Sequence, residues 1–372
     1  MRRPALTEIV RHLPPLVPFV GPEAMERARG RPFRARLGAN ESVFGPSPLA
    51  IRAMQEAAAE NWKYSDPESH ELRHALARLH GVGADNIVIG EGIDGLLGLA
   101  VHMTVEPSSP VVTSLGAYPT FNFHVAAHGG RLIKVPYRDD KEDLGALLDM
   151  AVQERARILY IANPDNPMGS WWSGAEILRL VERLPEGTLL CLDEAYSDTA
   201  PADAVPALDA ANPQVLRLRT FSKAYGLAGA RIGYGIGEKE LIATFEKVRN
   251  HYGINRVGQV GALAALLDQS YLADAVGRIA RSRDGIAGIA RANGLAALPS
   301  AANFVTIDCG RDGAFAKHVL EDVLARDVFI RKPAVAPLDR CIRISCGRDE
   351  DLAVLAEVLP EALRAARAQG EA

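Results

Sequence analysis

Between residues 86 and 236 the chain repeats one pattern: short, almost wholly apolar runs separated by stretches with helical spacing. The runs fall at 86–89, 110–113, 131–135, 157–161, 188–192, 215–220 and 232–236. A strand with one wet face alternates apolar and polar residues. A strand that is apolar on both faces must be covered on both. The intervening helices can supply the covers and the crossovers that parallel strands require. The expected fold class is therefore α/β, a mostly parallel sheet covered by helices. Ligands of such sheets sit beyond the carboxyl ends of the strands, so the loops after each run are the places to look for chemistry.

The rest of the chain differs in kind. The stretch 259–293 reads as one long helix, 303–309, 328–331 and 341–346 as strands, and 314–326 and 350–368 as helices. This describes a smaller α+β domain. A chain of 372 residues exceeds what one core usually serves. The expected division is an arm, 1–38, that packs with the small domain, a large domain, 39–258, and a small C-terminal domain, 259–372.

Charge excludes several partners. With 42 basic and 46 acidic residues the net charge is −4, which implies neither nucleic acid nor an anionic membrane surface. Arg27, Arg29, Arg31, Arg34 and Arg36 cluster, but Glu23 and Glu26 interrupt them, so a solvated arm is expected. No apolar run approaches a membrane span, and no secretory h-region follows Met1. Cys191, Cys309, Cys341 and Cys346 form no C-x-x-C pair and read as small buried hydrophobes of a cytoplasmic protein.

Two motifs are less specific than their spelling. His70-Glu71-Leu72-Arg73-His74 matches H-E-x-x-H, and a zinc peptidase is the alternative it raises. On a helix entered at Asp66-Pro67 and closed at Gly81, the apolar face is Leu72, Ala75, Leu76 and Leu79. His70 and His74 then point away from that face, to solvent. Gly90-Glu91-Gly92-Ile93-Asp94-Gly95 matches G-x-G-x-x-G, but the next run ends in Thr113-Ser114 without the acid a dinucleotide site needs. What survives is a helix start whose free amides suit a phosphate.

The strand-end residues are more specific. The run 188–192 leads into Asp193-Glu194-Ala195-Tyr196, and the run 215–220 leads into Phe221-Ser222-Lys223. Lys223 is flanked by the hydroxyls of Thr220 and Ser222, with Arg231 eight positions on. That setting suits a lysine facing a phosphate-bearing ligand. Pyridoxal phosphate (PLP) chemistry asks for such a lysine, for a carboxylate to keep the pyridine nitrogen protonated, and for donors to the phosphate and ring oxygen.

Residues 222–233, SKAYGLAGARIG, resemble the lysine motif of the class I/II aminotransferases, which are fold-type I PLP-dependent transferases. Within these the chain is most similar to histidinol-phosphate aminotransferases. LGANES at 37–42, NPDNPMG at 163–169, DEAY at 193–196 and CIRIS at 341–345 resemble further motifs in the family's order. The resemblance implies that Lys223 carries PLP as a Schiff base and moves the proton. It implies that Asp193 pairs with the ring nitrogen, that Asn166 and Tyr196 bind the ring oxygen, and that Tyr118 stacks on the ring. Gly92, Ile93 and Asp94 would bind phosphate through their backbone, with Thr220, Ser222 and Arg231. Tyr64 would reach the phosphate in the other subunit of a homodimer. Arg343, Arg331, Tyr252 and Asn40 would bind substrate.

The implied activity is ping-pong transfer of an amino group from a small-molecule donor to an oxo acceptor. An aromatic or broad-range amino-acid aminotransferase is one alternative, and a PLP lyase or decarboxylase of the same fold is another. Four positions depart from the family pattern: Met168, Ile93, Gly95 and Phe19. Phe19 stands where histidinol-phosphate enzymes commonly have a tyrosine, so one hydroxyl is lost from the substrate phosphate site.

Overall fold

The computed structural model describes residues 4–14, 20–207 and 209–369. Strand β1 (Ala35–Arg36) belongs to the arm, and seven later strands form the main sheet. These are β2 (Ile87–Gly90), β3 (Pro110–Ser114), β4 (Arg131–Val135), β5 (Ile158–Ala162), β6 (Leu189–Asp193), β7 (Val215–Thr220) and β8 (Gly233–Ile236). Their order is β2-β8-β7-β6-β5-β3-β4. Every neighbouring pair is parallel except those of β8, which runs against both β2 and β7. All seven expected runs are strands, with ends displaced by at most one residue.

The apolar runs are buried as their composition requires. Every residue of β2, β5, β6 and β8 is buried. Three apolar clusters fill the space between this sheet and its helices. One centres on Leu96, Phe121 and Tyr160, one on Leu76, Phe221 and Tyr234, and one on Leu147, Leu159 and Leu190.

A fourth cluster lies apart. It joins Ile279 and Ile286 to Val305, Ile307, Ile342, Ile344, Leu355 and Leu359. Its framework is β9 (Ala296–Ala297), β10 (Phe304–Asp308) and β12 (Cys341–Ser345), an antiparallel sheet in the order β12-β10-β9. Strand β11 (Val328–Phe329) pairs in parallel with β1 and so ties the arm to this part. Leu37 of the arm is fully buried in the same cluster, and Phe33 packs on Phe329 with ring centres 5.4 Å apart.

Three expectations change. The long helix is two helices, Arg256–Leu267 and Gln269–Ala292. The joint is Asp268, whose side chain accepts from the Tyr271 amide and from the Ser47 hydroxyl. Helical periodicity runs through such a joint, because an N-cap adds no residue to break the apolar phase. The arginine-rich arm is not simply solvated. Arg36 pairs with Glu23 and Glu26, Arg29 and Arg31 with Asp327, and Arg34 with Glu357. The strand expected at 328–331 is shorter, and Arg331 instead makes an isolated bridge to Arg343.

The helix of the H-E-x-x-H segment runs His70–His80 and ends on Gly81 in the left-handed conformation. Asp66 accepts the His70 amide at 2.8 Å. Leu72, Ala75 and Leu76 are buried, Leu79 is exposed, and His70, Glu71 and His74 face solvent. The two imidazoles stack on each other at 4.0 Å. All four cysteines are buried and free.

Candidate active site

The topology decides which residues can meet. The carboxyl ends of the parallel strands β3, β5, β6 and β7 share one edge of the sheet. Strand β8 runs the other way, so its first residue lies at that edge. Gly233 pairs with Gly90 on one side and with Thr220 on the other. The glycine-rich turn, the lysine segment and Arg231 therefore converge although they are far apart in sequence.

Lys223 lies three residues beyond β7 and is half-buried. Its Nζ donates to the Asn40 carbonyl at 3.2 Å and sits 5.7 Å from the centre of the Tyr196 ring. Burial, reinforced by the Arg343 charge, pulls the amine down to about 8, against the opposing pull of Asp94, Asp193 and Glu41. A lysine tuned this way is partly neutral near neutral pH, which nucleophilic and proton-carrying lysines need.

Asn40 is the hub beside it. It is buried with a left-handed φ of 56°, a conformation asparagine tolerates better than most residues. Its Nδ2 donates to the Tyr196 hydroxyl at 3.1 Å. Ser345 donates to its Oδ1 and accepts from its amide, both at 2.9 Å, and Asn303 Nδ2 donates to its carbonyl at 2.9 Å. Burial raises the Tyr196 phenol to about 12.

Asp193 ends β6 and is buried. Its Oδ2 accepts from the Tyr160 hydroxyl at 2.9 Å and its Oδ1 from the Ala195 amide at 3.0 Å. Burial pushes the carboxyl up to about 6, while those two donors and Lys223 hold it down. It is a carboxylate at neutral pH.

The third group is an anion cradle. The helix Gly92–Thr104 has no side-chain cap at Glu91, so its first-turn amides at Gly92, Ile93 and Asp94 are not satisfied by a cap. Gly92 is left-handed at φ 76°, which favours glycine, and a Cβ there would meet Arg231 Nη2 at 2.5 Å. Arg231, itself left-handed at φ 56°, donates to Ser222 Oγ at 3.3 Å, and the Thr220 and Ser222 hydroxyls are 2.9 Å apart. The Asp94 carboxylate lies 3.8 Å from Arg231 and accepts from the Tyr118 hydroxyl at 3.3 Å. Its side chain thus has a role the sequence did not suggest. Burial drives the Tyr118 phenol upward, so it remains a donor.

The two arginines meet through the backbone. Arg343 in β12 exchanges hydrogen bonds with Arg331 at 2.7 and 3.2 Å. Residues directly opposed in an antiparallel pair carry their side chains on the same face. Arg343 donates to Asn166 Oδ1 and lies over the Phe304 ring at 5.1 Å, while its buried Nε has no partner among the described residues. Burial, and then repulsion from Arg331, lowers its affinity for a proton. Arg331 lies over Phe329 at 4.9 Å and donates to the Val20 carbonyl. Phe19 lies outside the described residues.

Tyr64 and Tyr252 stand at the margin. They pack together at 4.8 Å but are 79% and 55% exposed. The next residue, Gly253, lies so close to Glu91 that a Cβ would overlap the Glu91 carboxylate. The tyrosine pair therefore borders the cradle from outside.

These residues fit a phosphorylated pyridine aldehyde. Uncapped amides, two hydroxyls and a guanidinium suit its phosphate, a buried carboxylate suits its ring nitrogen, and an amine of lowered proton affinity suits its aldehyde. A mostly parallel sheet with this set along its carboxyl edge is the fold-type I architecture of PLP-dependent transferases.

Known proteins agree. Residues 35–359 match the model of the family described as aminotransferase class I and II. A histidinol-phosphate aminotransferase of Mesorhizobium japonicum is 35% identical over 95% of this chain and 98% of its own length. The crystal structure of histidinol-phosphate aminotransferase from Sinorhizobium meliloti, a complex with pyridoxal-5'-phosphate, is 53% identical, with a TM-score of 0.93 over 96% of this chain and 97% of that one. An aspartate aminotransferase of Thermus thermophilus, 24% identical, shares the fold over 98% of this chain and 100% of that one with a TM-score of 0.81. The chain belongs to the class I and II aminotransferases and is a PLP-dependent enzyme that transfers amino groups. No helix among the described residues is long and apolar enough to cross a membrane.

Sequence reasoning missed four neighbours of the site. Ser345 and Asn303 hold Asn40, Tyr160 holds Asp193, and Tyr137 donates to Asp165 at 2.7 Å beneath the Asn166 loop. Ser345 could have been found, because it lies two residues after Arg343 and so faces the same side of its strand. Tyr160 carried a weaker signal, a phenol in an otherwise aliphatic run.

Proposed function

We propose that this aminotransferase acts on histidinol phosphate, exchanging its amino group with a 2-oxo acid. The observation that carries the reading is the Arg331–Arg343 bridge, which sets two arginine side chains on one face, with the Arg343 guanidinium at Asn166. Two guanidiniums match a phosphate dianion better than a lone carboxylate, and Arg343 alone suffices for the carboxylate of the second substrate. The histidinol-phosphate aminotransferases among the relatives support the same choice.

The geometry and the family resemblance together support the following residue roles. When bound, PLP supplies an electron sink for the bond at the amino-bearing carbon. Lys223 holds the cofactor and carries the proton to and from that carbon. Asp193 keeps the ring nitrogen protonated. Asn166 and Tyr196 hold the ring oxygen, and Asn40 orients Tyr196. Tyr118 covers the ring. Gly92, Ile93, Asp94, Thr220, Ser222 and Arg231 receive the phosphate. Arg343, Arg331 and Tyr252 take the substrate anions, and Asn40 closes that side.

The proposed unit is a cytoplasmic homodimer in which Tyr64 serves the other subunit's phosphate. Its exposure, shared with Tyr252 and with Trp62 at 80%, is what such a contact would cover. The domains proposed are the arm 1–38, the cofactor domain 39–258 and the small domain 259–372. The test compares kcat/KM for histidinol phosphate, phenylalanine and tyrosine in wild type and Arg331→Ala. Preference for histidinol phosphate that collapses in the variant supports the reading. Preference for the aromatic amino acids, with ratios unchanged in Arg331→Ala, overturns it.

A further inference from the structure

Asp193 receives two fixed hydrogen bonds, of different origin. The Ala195 amide comes from the turn that follows the carboxylate itself, at 3.0 Å. The Tyr160 hydroxyl, at 2.9 Å, comes from the neighbouring strand β5. Tyr160 is fully buried, and its ring lies flat on Phe121, with centres 4.5 Å apart and planes 14° from parallel. Phe121 is also fully buried, in the helix Pro119–Ala127 that begins just after Tyr118. The stacking fixes the phenol's orientation, and among the described residues its hydroxyl donates to the Asp193 carboxylate alone.

We propose that Tyr160 is a positioning residue for the cofactor: held on Phe121, it aims Asp193 and keeps it ionised for the ring nitrogen. The proposal rests on Asp193 being the partner of that nitrogen. A carboxylate that accepts a hydroxyl hydrogen bond is favoured over the protonated acid, so deleting the hydroxyl makes protonation easier. The other groups that act on Asp193 are Asp94, Lys223, Glu142, Tyr196 and Cys191. Tyr160→Phe removes none of these, so the difference between the two proteins isolates the hydroxyl.

The experiment measures the PLP dissociation constant of the full-length, cofactor-stripped chain across pH, for wild type, Tyr160→Phe and Asp193→Asn. Burial pushes the wild-type carboxyl up to about 6. Loss of one hydrogen bond to a charged group moves that midpoint up by about one pH unit. Tyr160→Phe should then bind about threefold more weakly near pH 6.5, and match wild type by roughly pH 9, where both carboxyls are ionised. Its melting temperature should stay close to wild type, because the stacked ring remains. Identical binding in Tyr160→Phe and wild type at every pH, with Asp193→Asn weakened, overturns the proposal. Equal weakening at every pH marks lost packing and overturns it too. Wild-type binding by Asp193→Asn overturns instead the reading of Asp193 on which the proposal stands. If Tyr160→Phe fails to fold, Phe121→Leu, which keeps the hydroxyl but frees the ring, should show the same pH-dependent weakening to a smaller degree; its absence there overturns the proposal.

Discussion

Lys223 and Asn40 are 183 residues apart in the chain, yet the lysine Nζ donates to the asparagine carbonyl at 3.2 Å. The lysine turn hangs from the large sheet, whereas Asn40 is bonded to Ser345 of the small one. Asn40 thus couples the two parts at the point of chemistry. Asn40→Ala removes the donor to Tyr196 and the acceptor for Ser345, and places alanine at φ 56°. It should cost about 1–3 kcal/mol of stability, from two lost buried hydrogen bonds and the backbone strain. It should lower kcat more than KM, because Tyr196 loses its orientation. Urea unfolding and steady-state kinetics check both. An unchanged kcat would show that Asn40 is only a structural hinge.

The depressed proton affinity of Lys223 has a thermodynamic consequence for the cofactor-free protein. Its folded value is about 8 against 10.5 for a free lysine. Between those values the unfolded chain binds more protons, so stability rises with pH through that window. Below about 8 the penalty is present in full. Lys223→Met removes it and should stabilise the cofactor-free chain near pH 7 by about 1–3 kcal/mol, discounted for the partly exposed amine. The advantage should shrink as pH approaches 10.5. Melting curves across pH report this, and a variant that is less stable than wild type at pH 7 contradicts it.

Much of this arrangement is legible in the sequence. Strands buried on both faces are apolar throughout, so all seven runs could be located. Strand-end residues then exposed Asp193, Lys223 and, through the lysine motif, Arg231. The opposed direction of β8, which brings Arg231 back to the Gly92 turn, is a pairing property that the run 232–236 does not announce. The helix break at Asp268 was hidden because its cap leaves the apolar phase intact. The ion pairs of Arg29, Arg31 and Arg34 reach Asp327 and Glu357, and distance in sequence concealed them. Tyr160 was concealed by its burial, since in a sequence a core tyrosine and one aimed at a carboxylate look alike.

Tyr64 supplies a test of assembly. Its ring is exposed and packs on that of Tyr252. If it serves the other subunit, co-expressed Tyr64→Ala and Lys223→Ala chains should form hybrids in which one site carries both native residues. Those hybrids should recover up to about half of a wild-type dimer's activity, because the second site carries both substitutions. Hybrids that form, by native mass spectrometry, and stay inactive contradict action in trans.

The central claim is that Lys223 holds the cofactor. Purified protein should be yellow, and reduction with borohydride should fix the cofactor to one lysine. Peptide mapping after reduction tests the claim most directly. The expected result is a single pyridoxyl label on the peptide containing Ser222-Lys223-Ala224, absent in Lys223→Ala. A label on any other lysine, or no label on protein shown to be active, would contradict the account.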